Sequence, residues 1–453
     1  MTAAWLVALM LTAAPLDPAA EEGEVLVYRG QMVATKGDPA ETTKKFELTL
    51  LIGKRGADSA SLYWTVTEQG RGAWTWPNQF GRLDLDGGLR AVGGSGPALL
   101  YDRGDGKSVV PLEVPLLTAD GRAIDQSSAW EHGRLAYRTA GTDRRANLPA
   151  WLVEARNNYG VKRRLWMDKS SPVALQMAER VFIGQGQEHD LTVELIENRH
   201  LSAAQNMAEV SGFDALIKLR EDVGFELRAS RTDWNPDQLE RLRGNLTEFE
   251  KLAADDLLKG VADAALRDLK TQKGRSNAVA SLREKAIGKA APQLKLDGLG
   301  HSGLTSADLT GKVTVLHFWE YRDVPLEEPY GQIGFLDFLS RKRQKEGVNV
   351  YGVVVHEPAE GDPGVRRRAG QSATRLKNFM NLSYPLLFDD GKAVADLGDP
   401  RIAGAKLPLF VVIGPDQRVV EYRAGLYEVQ RDRGLEELDA AITKALQPSG
   451  KRE

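Results

Sequence analysis

The stretch Phe318–Glu328, FWEYRDVPLEE, concentrates the side chains in this chain best placed to do chemistry. Asp323, Glu327 and Glu328 bring three carboxylates within six residues, Pro325 lies between them, and His317 immediately precedes the stretch. Read as the end of a strand running into a helix, it places Asp323 at a helix N-terminus, where unpaired N–H groups and the helix dipole stabilise negative charge. The same placement makes Asp323 a good N-cap, and Glu327 and Glu328 ordinary first-turn residues. The capping role is favoured over acid–base chemistry. A strand histidine such as His317 is expected to be a satisfied core residue rather than a relay. The chain contains no cysteine. Thiolate nucleophiles, disulfides, thiolate metal sites and a cysteine-linked lipid anchor are therefore excluded for its own groups. Its 6 histidines show no metal-ligand spacing, so neither metal nor cofactor is expected. GDGKS at 104–108 lacks the first glycine of a phosphate loop, since Tyr101 stands there.

These residues need elements to hold them, and the 453 residues suggest roughly three domains at about 150 residues each. The net charge of −3 provides no global field for nucleic acid. The basic runs Arg341–Arg343 and Arg366–Arg368 read as solvated faces. Residues 1–20 read as a signal peptide, with an apolar core over Ala4–Ala14 and small residues to Ala20; export, most simply to a periplasm, is expected. No later stretch reaches the roughly 18 apolar residues of a membrane span.

Residues 24–202 alternate apolar and polar side chains in short runs separated by turn-formers, which predicts an antiparallel β domain. Six of the 9 tryptophans fall in it: Trp64, Trp74, Trp76, Trp130, Trp151 and Trp166. Trp74 and Trp76, two apart, would share one face of a strand. A packed core is favoured over an aromatic ligand surface. The strand period also resembles the curved sheets of bacterial lipoprotein-carrier domains, without a diagnostic motif. Residues 203–290 switch to a helical period and predict a helical hairpin or linker. Asn235-Pro236-Asp237-Gln238 is a helix start, followed by the stripe Leu239, Leu242, Leu246, Phe249 and Leu252.

Residues 291–447 run strand, helix, strand, helix, hairpin, helix. GKVTVLHFW and VNVYGVVV are continuous apolar strands of the kind buried on both faces. With APQLKLDGLGHSGLTSADLTGK at the start, the Phe-Trp step at 318–319 and GAKLPLFVVIGPDQRVV near the end, this third of the chain resembles bacterial redoxins of the thioredoxin-like TlpA/ResA type. The fold class is thus multidomain α+β: an antiparallel β domain, a helical region and a thioredoxin-like α/β domain. The resemblance puts the family's two redox cysteines at Asp323 and Leu326, Pro325 between them and Pro408 at the family's cis-proline. It implies a peptide-binding groove of Trp319, Pro325, Leu407 and Pro408. With sulfur replaced by a carboxylate and an alkyl group, the expected function is binding of an extended peptide or protein partner, without catalysis. The alternatives are a small-ligand or lipid carrier acting through the β domain, and a thiol–disulfide oxidoreductase by family alone. Oligomeric state is left open.

Overall fold

The computed structural model describes residues 16, 19–37, 42–103, 106–184, 186–228, 234–253, 256–320, 332–356, 363–427, 429 and 433–447. The segment 1–20, apart from residues 16, 19 and 20, lies outside them, as do Asp323, Pro325 and Leu326. Among the described residues no helix is long and apolar enough to cross a membrane. The chain divides into two compact units, residues 1–270 and 271–453.

The first unit is built on strands β1 Glu24–Ala34, β2 Lys44–Arg55, β3 Ser59–Gly70, β4 Phe80–Asp86, β5 Ala91–Gly94, β6 Ala98–Asp102, β7 Lys107–Pro111, β8 Ala129–His132, β9 Leu135–Arg145, β10 Leu148–Asn157, β11 Gly160–Asp168, β12 Ala174–Ile183 and β13 Gln187–His200. Eleven of them form one sheet in the order β5-β4-β3-β2-β1-β13-β12-β11-β10-β9-β8, and β6 pairs with β7 apart from it. Every pairing is antiparallel, so the antiparallel domain expected from the alternation forms, as a meander. One face carries a continuous core that includes Leu26, Tyr28, Leu48, Leu62, Trp64, Val153 and Leu165.

The helical period of the next segment yields α1 Ala203–Asp222, α2 Pro236–Gly244, α3 Leu246–Leu252 and the long α4 Lys259–Ala286. The helices up to residue 270 pack on the sheet: Phe213, Leu216, Phe249 and Leu258 share a core with Val25, Leu51, Tyr63 and Phe80. This second cover explains why β2 and β3 read as apolar runs (Leu50, Leu51, Ile52; Leu62, Tyr63, Trp64) instead of strict alternation. Ser202 and Asn235 cap α1 and α2, each in a reciprocal capping box with the glutamine three residues on. Arg220 at the end of α1 is buried and donates to the carbonyls of Pro77 and Phe80, both at 2.9 Å. Burial lowers its pKa to about 10.

Trp74 and Trp76 do not share a strand face. Pro77 cannot donate to a ladder, and Trp76–Asn78 closes a 3₁₀ turn instead. The two indoles diverge: Trp74 Nε1 donates to Ala98 O at 2.9 Å, and Trp76 Nε1 to Asp268 Oδ2 at 3.1 Å. Trp64, Trp130 and Trp166 belong to the core, with Trp151 packed against it. The favoured packing role is the one these tryptophans occupy.

The second unit contains β14 Lys295–Gly298, β15 Leu304–Thr305, β16 Thr314–Glu320, α5 Ile333–Arg343, β17 Asn349–Val355, α6 Pro363–Met380, β18 Leu386–Asp389, α7 Lys392–Leu397, β19 Leu409–Ile413, β20 Val419–Ala424 and α8 Glu436–Leu446. Its sheet runs β15-β14-β18-β17-β16-β19-β20. β16, β17 and β18 are parallel, while β19 and β20 are antiparallel to their neighbours. A parallel βαβ unit joined to an antiparallel hairpin and a final helix is the thioredoxin-like arrangement. Val315, Trp319 and Phe410 contribute to one core with Leu336, Leu438 and Ile442, and Leu316, Phe318 and Leu409 to the core on the opposite face. Covered on both sides, β16 reads as the unbroken apolar run seen in the sequence.

Candidate functional site

Register sets the position of the site. β16 pairs with β19 through Phe318↔Leu409 and His317↔Phe410. The last residues of β16 therefore lie beside the first residues of β19, and the segment Lys406-Leu407-Pro408 enters the sheet at the end where Trp319 and Glu320 leave it. The Leu407–Pro408 peptide is cis, at the position the resemblance assigns to such a bond. Pro408 is buried, with no N–H to give, and its carbonyl accepts from Gly425 N at 2.7 Å. Leu407 is half-buried, packed against the core that holds Leu409 and Phe318. Among the described residues, neither its N–H nor its C=O has a backbone hydrogen-bond partner.

Trp319 is buried at 5% exposure. Its ring reaches over Gly352 on β17, where an added Cβ would approach Leu386 Cδ2 to 2.7 Å and Tyr384 Cε2 to 3.0 Å. A glycine is needed at 352 because the Trp319, Tyr384 and Leu386 side chains already fill that space. The Trp319 indole N–H has no hydrogen-bond partner among the described residues. Of the groove residues named from the sequence, the structure thus brings Trp319, Leu407 and Pro408 to one end of the sheet; Asp323, Pro325 and Leu326 lie outside the described residues.

His317 is fully buried and stacks on Phe410 at 4.4 Å between ring centroids, with 23° between the planes. Phe410 in turn meets Tyr427 edge-on at 5.0 Å. His317 is thus a packing residue of an aromatic column.

Two residues escaped sequence reasoning. Arg401, in the turn that leads to Leu407, is held bidentately by Asp399 (3.0 and 2.6 Å), and its Nη1 lies 3.9 Å from Glu320 Oε1. It links the turn before Pro408 to the last residue of β16. Gln332 follows directly on the undescribed 321–331 segment in the left-handed region (φ 68°) and is 2% exposed. Its amide donates to Tyr427 O at 2.5 Å and accepts from Tyr427 N at 3.0 Å. Burial raises the Tyr427 phenol pKa, with the Glu421 charge adding to the effect. Only the Asp-Pro pair at 399–400 hinted at a turn there; nothing local marks Gln332.

The chain has no cysteine, so the site has no thiol for thiol–disulfide exchange. What it offers is an unpaired backbone step beside a buried proline, an apolar wall from Leu407, and a rim carrying Glu320 and Arg401.

Residues 287–422 match the AhpC/TSA family, wholly within the second unit. Among solved structures, a thioredoxin-family thiol:disulfide interchange protein from Chlorobium tepidum is 17% identical, covers 35% of this chain and 97% of its own, and gives a TM-score of 0.27. A secreted Mycobacterium tuberculosis disulfide oxidoreductase homologous to E. coli DsbE is 19% identical, over 33% of this chain and 95% of its own, with a TM-score of 0.24. No curated protein matches the chain.

Proposed function

We propose that the second unit is a redoxin-like domain that binds an extended segment of a peptide or protein, and does so without thiol chemistry. The carrying observation is the backbone of Leu407. Its N–H and C=O are both without a backbone partner among the described residues, directly before a strand whose own groups are paired. An unpaired backbone step where a strand enters its sheet can pair with an extended segment as strand-type peptide recognition does: main-chain bonds supply affinity and adjacent side-chain contacts supply selectivity. Leu407 supplies the apolar contact, and Glu320 and Arg401 the charged rim. The unit catalyses no exchange of its own, because neither a nucleophilic nor a resolving sulfur exists in the chain. The apolar N-terminal stretch makes export, most simply to a periplasm, part of the same reading.

An array of extended peptides probed with the full chain tests this. Binding is expected, and replacing cysteine by serine within a bound peptide should leave affinity unchanged. An array with no bound peptide, or binding that requires a peptide cysteine, contradicts the proposal. The carrier alternative has less support, since the tryptophans that suggested an aromatic ligand surface are engaged in packing, with Trp64 Nε1 bonded to Ser95 O at 2.7 Å and Trp166 Nε1 to Asp143 Oδ2 at 2.9 Å.

A further inference from the structure

A concave site lies in the same unit, away from Leu407. It is a cleft of about 710 Å³ between α6, the turn after β14 and β18, lined by Arg366, Arg367, Arg375, Gln371 and Asp297 among others. In sheet order, β17 and β16 separate β18 from β19. Its volume falls in the range of small-molecule pockets, about 300–1,000 Å³.

Among the described lining residues the charges of the cleft do not balance, with three arginines to one carboxylate. Arg366 is ion-paired with Asp297, and its guanidinium lies 5.0 Å from the centroid of Phe388. Among the described residues Asp297 is the one carboxylate lining the cleft, and Arg366 occupies it. Arg367 and Arg375 are exposed, and neither guanidinium has an ion pair or hydrogen bond among the described residues. They lie eight residues apart with Gln371 midway, a spacing that sets all three on one face of α6, with the Arg367 and Arg375 Cα atoms about 12 Å apart. The facing wall is backbone-rich: Gly298 and Gly300 flank Leu299, and an added Cβ on Gly370 would meet Leu299 Cδ2 at 3.3 Å. Small residues keep the wall low and leave the guanidinium groups open to an incoming ligand.

From this we infer that the cleft binds a small organic molecule carrying two separated anionic groups, phosphates or carboxylates, one on Arg367 and one on Arg375, with Gln371 between them. Guanidinium groups suit this task because their planar donors match both phosphate and carboxylate oxygens in pairs. The solvated face read from Arg366–Arg368 becomes at Arg367 one wall of a binding site. The inference is independent of the peptide groove and uses none of its residues.

Calorimetric titration of the full chain with fructose 1,6-bisphosphate and, separately, citrate tests it and distinguishes the phosphate from the carboxylate class. Saturable binding of at least one is expected, weakened roughly tenfold or more in Arg367→Ala/Arg375→Ala. Both positions are exposed, so the variant should unfold at the wild-type temperature. Asp297→Asn removes the competing carboxylate and frees Arg366, and should tighten binding several-fold. Absence of saturable binding by both probes, equal binding by the double arginine variant, or weaker binding by Asp297→Asn would overturn the inference.

Discussion

Gln332 grips the backbone of Tyr427 with both ends of its amide, donating to the carbonyl at 2.5 Å and accepting from the N–H at 3.0 Å. The two residues are 95 apart in sequence, and both are buried. The pair ties the start of α5 to the chain that follows β20. Through Tyr427 it continues to Phe410 and His317, so one end of the sheet is held by a single connected set of contacts.

Replacing Gln332 by Leu removes both bonds and leaves a buried N–H and C=O without partners. Two unsatisfied buried groups cost about 2–5 kcal/mol together. Chemical denaturation of the full chain should show the transition of the second unit moved to lower denaturant, by that energy divided by its m-value, with the first unit's transition in place. An unchanged transition would mean the amide contributes nothing net.

Lys44 and Glu68 form an ion pair in the first unit at 2.9 Å, with both side chains at 0% exposure. Glu68 also accepts from Trp74 N at 2.7 Å and Leu100 N at 2.8 Å. Burial pulls the Lys44 pKa down, and the Glu68 carboxylate opposes it. Lys44→Met leaves a buried carboxylate without its counter-charge, at a cost of about 3–5 kcal/mol. Lys44→Met/Glu68→Gln removes both charges, keeps an amide oxygen for the backbone N–H groups, and should recover part of that loss. A double variant weaker than the single one, by thermal or chemical unfolding, would contradict this.

Asp268 accepts two indole N–H groups, from Trp76 at 3.1 Å and Trp234 at 3.0 Å. It joins α4 to the aromatic cluster that seats the helices on the sheet. Asp268→Ala should cost about 2–4 kcal/mol, since two buried donors lose their acceptor. It should also change the tryptophan emission of the folded protein. Wild-type stability in this variant would show that the indoles do not depend on it.

Asp439 on α8 receives Arg343 Nε at 2.6 Å and Lys342 Nζ at 2.8 Å from α5. Burial alone would raise its pKa, but hydrogen bonds and charge from Arg343 and Lys342 outweigh that and leave it below its ordinary value. A carboxylate with a depressed native pKa stabilises the fold above its unfolded value, about pH 4, and the contribution disappears as pH falls through the native pKa. The pair is partly solvated, so about 1 kcal/mol is expected after screening. Stability of Asp439→Asn should be lower than wild type near neutrality and converge with it below about pH 4. A constant offset across that range would assign the effect to packing.

The alternation of β1–β13 and the apolar runs at β16 and β17 were legible in the sequence because burial pattern follows strand period and sheet cover directly. LPLF marked the entry to β19 because a proline before an apolar run has few places to sit. Trp74 and Trp76 were misplaced because spacing by two implies a shared face only in a ladder, and Pro77 breaks the ladder. The packing of α1 onto β1–β4, and the bonds between Gln332 and Tyr427, join residues distant in sequence. No local pattern encodes them. At the groove, the proline was readable from its neighbours, whereas Arg401 and its link to Glu320 depend on where two separate segments end.

Backbone amide exchange of the full chain, with and without a peptide selected from the array, tests thiol-free recognition most directly. Slowed exchange over the segment that contains Leu407, produced equally by a peptide and its serine-for-cysteine form, is the expected result. Protection confined to other segments, or protection that appears only with the cysteine-bearing peptide, would contradict it.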